Sequence, residues 1–181
     1  MQHLQPILAA SYQNQDQASK TLGDLGYSYD HALSTPESKV FTDKDGKPHI
    51  AFRGSQRVKD DWLGADVKLA LGLEKYDRRF REAKHLTKLV EDKYGKSADV
   101  FGHSLGGGLA EKAGAGGHVY TFNKGAGIFD IGKKIGSNQT DIRKKNDVVS
   151  LLSLTQRHTN RLQQVASGHH KYNIFGNHKF S

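Results

Sequence analysis

Apolar positions along the chain follow two different spacings. Lys39–Thr42 and Pro48–Phe52 are short runs typical of strands, and Asp45-Gly46 between them predicts the turn of a β-hairpin. From Tyr76 to Tyr94, apolar residues recur every three or four positions. This spacing predicts an amphipathic helix that ends at Gly95.

Strand and helix patterns alternate through the middle of the chain. The expected elements are a strand over 98–102, a helix over 105–113 and a strand over 118–123, followed by short apolar runs at 140–143 and 148–152. The opening 35 residues are polar with scattered Leu and Ala, and they predict one or two short helices that lean on the body. The alternation indicates an α/β sheet with crossover connections.

Length and composition narrow the class of protein. The 181 residues suit a single domain over 1–181, with a helical segment over 1–35 and a core over 39–181. With no cysteine, disulfides and thiol nucleophiles are excluded. No apolar run reaches the length of a membrane-spanning helix, and Ile7–Ala10 is too short for a signal peptide. We therefore expect a cytoplasmic protein, or one carried in a particle such as a virion.

The net charge of +8 is concentrated near the end of the sequence. Residues 131–181 contain nine Lys and Arg against two Asp, whereas the first 130 residues are nearly neutral. A basic stretch of this kind is typical of contact with nucleic acid or anionic lipid, or of a solvated face without a partner. The stretch has no pattern of stacking aromatic residues, so we do not expect nucleic acid as a partner.

The strongest chemical signal is Gly102-His103-Ser104-Leu105-Gly106, a G-x-S-x-G motif between a predicted strand and a predicted helix. Here the serine occupies a strained turn, and side chains in place of the glycines would collide with neighbouring backbone. The N–H of Leu105 would point at an oxyanion formed on the substrate. The alternative is a glycine-rich turn with an incidental serine.

This motif and its surroundings resemble the class-three lipase family. The resemblance rests on Gly102–Gly107, on Ala51–Ser55 and Asp61–Leu63 before it, and on Thr121–Asn123 and Asn146–Val149 after it. It implies an α/β-hydrolase fold, with a mostly parallel sheet flanked by helices and a compact lid. It also implies a lipase or phospholipase that cleaves acyl esters without a cofactor or metal.

Carried over residue by residue, the resemblance makes Ser104 the nucleophile and Asp147 the acid of a catalytic triad. Ser55 and Leu105 would form the oxyanion hole, although Ser55 also suits a helix N-cap. Asp141 is a weaker alternative for the acid. The resemblance gives Arg53 and Asp66 structural roles in bracing the loop that contains Ser55. Trp62 is expected to be a packed aromatic residue.

The general base is expected among the histidines after Asp147. His158 lies in a polar run over 155–161 that is typical of a surface helix or loop, and His178 is close to the end of the sequence. His169 and His170 follow Gly168, and adjacent residues in an extended chain point to opposite sides. Relatives offer a pattern for each, and we favour His170, with His169 as the alternative.

Two further expectations concern how substrate is reached. Gly64–Tyr76 is a short amphipathic segment where the family places its lid, and a plain surface helix fits the pattern equally well. The basic residues of 131–181 would draw the protein to anionic membrane. The competing function is an inactive hydrolase fold that binds nucleic acid or an anionic surface, and a third is an esterase or thioesterase for small acyl substrates.

Overall fold

The computed structural model describes residues 3–55, 73–125, 132, 134–144, 156–158 and 163–165. Within these ranges the helices are α1 (Leu4–Ala10), α2 (Gln15–Gly23), α3 (Leu73–Tyr94) and α4 (Leu105–Lys112). The strands are β1 (Ser28–Tyr29), β2 (Ser38–Thr42), β3 (Pro48–Phe52), β4 (Asp99–His103), β5 (Val119–Phe122), β6 (Lys134–Ile135), β7 (Gln139–Lys144), β8 (Arg157–His158) and β9 (Gln163–Val165).

One sheet organises the described part of the chain, in the order β1-β2-β3-β4-β5-β7-β9. The first three strands are antiparallel, and β2 and β3 form the predicted hairpin with Gly46 at a φ of 70°. From β3 onward all neighbours are parallel. The carboxyl ends of β3, β4, β5, β7 and β9 therefore lie along one edge, which is where open α/β sheets hold their ligands.

Alternation along each strand divides the core between the two faces of the sheet. Val40, Ile50 and Val100 pack with α3 and α4 on one face, whereas their neighbours Phe41, Ala51 and Phe101 pack with α1 and α2 on the other. Leu8 in α1 and Leu22 in α2 are fully buried. The helices of the opening 35 residues thus form a layer of the core.

The predicted helix over 76–94 is the greater part of α3, and Gly95 ends it with a φ of 63°. The strands and helix expected over 98–123 are present as β4, α4 and β5. The expected strand over 148–152 lies outside the described residues. None of the helices within the described ranges is long and apolar enough to span a bilayer.

The prediction of a surface helix or loop over 155–161 was wrong at Arg157–His158. These residues form β8, which pairs in parallel with β6 in a separate two-stranded sheet. Strands of two residues carry too few positions for any hydrophobic alternation, so the polar sequence gave no local sign of the pairing.

Candidate active site

Ser104 occupies a strained turn between β4 and α4. Its φ of 56° and ψ of −124° lie in a region that residues other than glycine rarely adopt. Backbone hydrogen bonds hold the turn, because the Ser104 N–H donates to the Phe122 carbonyl at 3.1 Å. The Ser104 carbonyl in turn accepts from the N–H groups of Gly107 and Gly125, each at 3.0 Å.

The glycines around Ser104 are required by close backbone contacts. A Cβ atom on Gly102 would overlap the backbone of Gly106, and one on Gly106 would overlap the carbonyl of Phe52. Gly107 packs on Lys124, where a Cβ would approach the lysine Cβ to 3.1 Å. The steric role expected for the glycines of the G-x-S-x-G motif is therefore confirmed.

The Ser104 hydroxyl is buried, with the residue only 1% exposed, and no described residue forms a hydrogen bond with its Oγ. Leu105 is the first residue of α4, and the first N–H groups of a helix have no acceptor within the helix. The nucleophile candidate thus stands beside a backbone donor at a positive helix end.

The last described residues after β3, Arg53–Ser55, lie against this turn and are called the Arg53–Ser55 loop. A Cβ on Gly54 would come within 2.7 Å of the His103 carbonyl oxygen and 3.3 Å of the Ser104 Cβ. The loop therefore passes the turn at backbone contact distance. This places the expected oxyanion residue Ser55 directly after a glycine that touches the turn.

The α3 side of the sheet anchors the Arg53–Ser55 loop through Arg79, a residue with no signal in the sequence. Arg79 Nη2 donates to the Arg53 carbonyl at 2.6 Å, and Arg79 Nε lies 3.5 Å from Glu37 Oε2. The Arg53 N–H donates to the Glu37 carbonyl. The Arg53 guanidinium donates to the Pro36 carbonyl at 3.4 Å, so among the described residues the shorter hydrogen bond to this loop is that of Arg79.

Tyr12, just after α1, anchors the same loop from the opposite side. Its Oη accepts the Gly54 N–H at 3.0 Å and lies 2.8 Å from His103 Nδ1. Burial raises the pKa of the Tyr12 phenol well above its usual value, so the hydroxyl keeps its proton. Tyr12 is distant in sequence from both partners, and no motif indicated it.

A second polar cluster lies on the β5 side of Ser104, around the buried Lys124. Its ammonium group contacts the carboxylates of Glu111 in α4 and Asp141 in β7, the latter at 2.7 Å. Asp141 also accepts hydrogen bonds from Thr121 and Gln139. Burial opposes ionisation of Asp141, but Lys124 and the two hydrogen bonds keep its pKa below the usual range. Asp141 is thus committed to an ion pair within the sheet.

Several expected site residues lie outside the described residues. These are Asp147, His169, His170 and His178, together with Trp62, Asp66 and the lid segment before Leu73; Leu73–Tyr76 form the start of α3. The structure does describe β7 and β9, the strands that precede Asp147 and His170 in the sequence. β7 ends at Lys144 and β9 at Val165, and both run parallel to β4. Among the basic residues of 131–181, Lys134 and Arg157 are exposed, whereas Arg143 is buried and does not belong to a surface patch.

The chain is similar to two solved structures. A structure of the MDLA N225Q mutant from Penicillium cyclopium has a TM-score of 0.53 at 17% identity, over 97% of this chain and 82% of that chain. A fungal lipase–inhibitor complex has a TM-score of 0.48 at 15% identity, over 82% of this chain and 71% of that chain. None of the curated proteins matches the chain.

The expected α/β-hydrolase fold is confirmed by the mixed sheet flanked by helices and by the likeness to the Penicillium structure. The model of a phospholipase-like family, the Tle-like phospholipase domain, matches residues 8–149. Family and fold together support an ester hydrolase and confirm the expected lipase-like family. Because the match extends from α1 past the end of β7, the chain belongs to the Tle-like phospholipase domain family.

Proposed function

We propose that the protein is a serine hydrolase that cleaves acyl esters of phospholipids or glycerides. The observation that carries the proposal is the strained backbone of Ser104, held between β4 and α4 with the Arg53–Ser55 loop packed against it. Strain of this kind persists only where the surrounding structure enforces it, and it concentrates at functional sites. A glycine-rich connection without a catalytic task has no need of a serine at this position.

In the proposed mechanism, the Ser104 Oγ attacks the ester carbonyl while a histidine accepts its proton. The N–H groups of Leu105 and Ser55 stabilise the tetrahedral oxyanion. The histidine then protonates the leaving alcohol, and an acyl-enzyme remains on Ser104. Water, activated by the same histidine, attacks the acyl-enzyme and releases the fatty acid with the serine regenerated.

We assign the acid to Asp147 and the base to His170, with His169 as the alternative base. The sheet supports these assignments through the strands that precede the residues. Asp147 follows shortly after β7 and His170 shortly after β9, and both strands run in the same direction as β4, which ends at the nucleophile. Asp141, the other acid considered, is already paired with Lys124.

The test of the nucleophile is Ser104→Ala, with Ser34→Ala as the matched control. Ser34 is also buried, but its hydroxyl bonds to the backbone of Val40. Ser104→Ala should lower turnover of a chromogenic ester by at least about a thousandfold and abolish fluorophosphonate labelling. The control should still be labelled. Labelling of Ser104→Ala at the wild-type rate would disprove the nucleophile.

The base is identified by two single variants measured side by side. His170→Ala should lose ester turnover by a factor of about 100 or more, because general bases contribute rate factors of this size. His169→Ala should stay close to the wild type. The opposite result would assign the base to His169. Full activity of both variants would disprove the proposed catalytic triad.

The substrate is resolved by product analysis with phospholipid and glyceride vesicles. We propose that basic residues of 131–181 bring the protein to anionic lipid, so turnover should rise with anionic lipid content and fall with salt. Turnover of soluble esters alone would favour the small-ester alternative. Retention on an anionic polymer without any turnover would favour the inactive binding protein.

A further inference from the structure

We infer that Tyr12 is a positioning residue of the active site, which fixes the oxyanion loop Arg53–Ser55 against the nucleophile turn. The inference rests on the proposed function, because it assigns a role in that reaction to a residue outside the triad. It also gives the opening segment, which the sequence predicted only as short helices packed on the body, a part in positioning the active site.

The Tyr12 hydroxyl lies between the Arg53–Ser55 loop and the turn that holds Ser104. Its Oη accepts the N–H of Gly54, the residue before Ser55, and forms a 2.8 Å hydrogen bond with Nδ1 of His103, the residue before Ser104. One oxygen atom thus joins the neighbour of an oxyanion donor to the neighbour of the nucleophile. The spacing between the Ser55 N–H and the Ser104 Oγ depends on that junction.

Tyr12 is itself held in place by the end of α1. The Tyr12 N–H donates to the Ala9 carbonyl at 3.0 Å, which continues the last turn of α1. Most of α1 is buried against β3 and β4 through Leu4, Ile7 and Leu8. The hydroxyl therefore has a fixed support, as an anchor for catalytic geometry requires.

The Arg53–Ser55 loop is held from both faces of the sheet. Arg79 holds the Arg53 carbonyl from the α3 face, while Tyr12 holds the Gly54 N–H from the α1 face. Removing Tyr12 Oη takes the acceptor away from the Gly54 N–H, at a glycine that has no room for a side chain. We expect Gly54 and Ser55 to move away from the turn by a fraction of an ångström.

The test is Tyr12→Phe, which removes one oxygen and keeps the ring. The matched control is Tyr27→Phe, because Tyr27 packs against Phe41 and His49 near the opposite end of β3. Tyr12→Phe should lower kcat by about tenfold to a hundredfold with KM nearly unchanged, since the oxyanion is bound mainly in the transition state. Tyr27→Phe should leave kcat within twofold of the wild type.

Active-site titration with saturating fluorophosphonate separates positioning from stability. A purely structural role would reduce the number of titrated sites and leave kcat per site unchanged, and that result would overturn the inference. If Ser104→Ala keeps its turnover, the proposed function fails instead. A dead Ser104→Ala together with a fully active Tyr12→Phe rejects the role of Tyr12 alone.

The part played by His103 has its own test. Asn can present a side-chain oxygen near the position of imidazole Nδ1, whereas Leu cannot, so His103→Asn should retain more of kcat than His103→Leu. The double variant Tyr12→Phe with His103→Leu should lose little more kcat than the worse of the two single variants, because both changes break the same hydrogen bond. Equal kcat for the Asn and Leu variants, or fully multiplicative losses, would overturn the link through His103.

Discussion

Two buried polar clusters flank Ser104, and they differ in kind. On the β3 side, Tyr12, His103 and the Gly54 N–H are joined by hydrogen bonds between neutral groups. On the β5 side, Lys124 lies between the carboxylates of Glu111 and Asp141. The neutral cluster holds a loop, whereas the ionic cluster joins α4 to β5 and β7.

The contrast follows from what each cluster does. Buried charges carry a large desolvation penalty, so the loss of one partner is severe. A neutral hydrogen bond contributes little net free energy, yet it fixes direction and distance. The ionic cluster is therefore expected to govern stability, and the neutral one to govern the rate of the proposed reaction.

The largest expected effect on stability is that of Lys124→Met. The change removes the ammonium group between two buried carboxylates and should lower the free energy of unfolding by about 3–5 kcal/mol. Lys20→Met is the control, because Lys20 forms an exposed pair with Asp24 and should cost less than about 1 kcal/mol. Urea unfolding measures both. Equal losses for the two variants would abolish the distinction.

The next effect is a dependence of stability on acid pH. The folded pKa of Asp141 lies below its unfolded value of 3.8, so the ion pair stabilises the protein above that value. That contribution is lost as the pH falls through the lowered folded pKa. Asp141→Asn should therefore show a shallower fall in unfolding free energy below about pH 4 than the wild type, although Asp30 and Asp43 also have lowered pKa values. Parallel curves for the two proteins would show that Asp141 does not contribute.

A smaller loss of stability than that of Lys124→Met is expected for Tyr12→Phe, about 1–3 kcal/mol, because the change takes the Tyr12 hydroxyl away from the buried Gly54 N–H and the buried His103 ring. The same variant is expected to lose kcat. Thermal unfolding, followed by circular dichroism, should place it between Lys20→Met and Lys124→Met. A loss of stability as large as that of Lys124→Met would assign Tyr12 to the framework instead.

The parts of this site that could be predicted are those with local sequence signals. The glycines of the G-x-S-x-G motif predict the turn, because side chains two positions before and after Ser104 would collide with neighbouring backbone. Asp45-Gly46 predicts the hairpin, because glycine readily adopts the positive φ that the turn requires. The period of α3 is visible because one face of a long helix must be buried.

The remaining features depend on contacts between distant segments. Nothing near Tyr12 indicates that its hydroxyl reaches His103, 91 positions away. Lys124 resembles any other basic residue until β7 brings Asp141 beside it. Short strands such as β1 and β8 have no period to detect. The strained turn at Ser104 was therefore predictable, whereas the groups that support it were not.

The separation in sequence of these contacts has a consequence for how the chain acquires activity. The β2–β3 hairpin pairs strands that are adjacent in sequence. By contrast, Gly54 and Tyr12 are 42 positions apart, and β3 pairs with β4 across the intervening segment that contains α3. Bringing distant segments together costs chain entropy before their contacts stabilise the structure, so pairings between distant segments form late in folding. Recovery of ester turnover during refolding should therefore lag behind recovery of strand and helix signals. Turnover would report the completed assembly of the sheet rather than its first collapse.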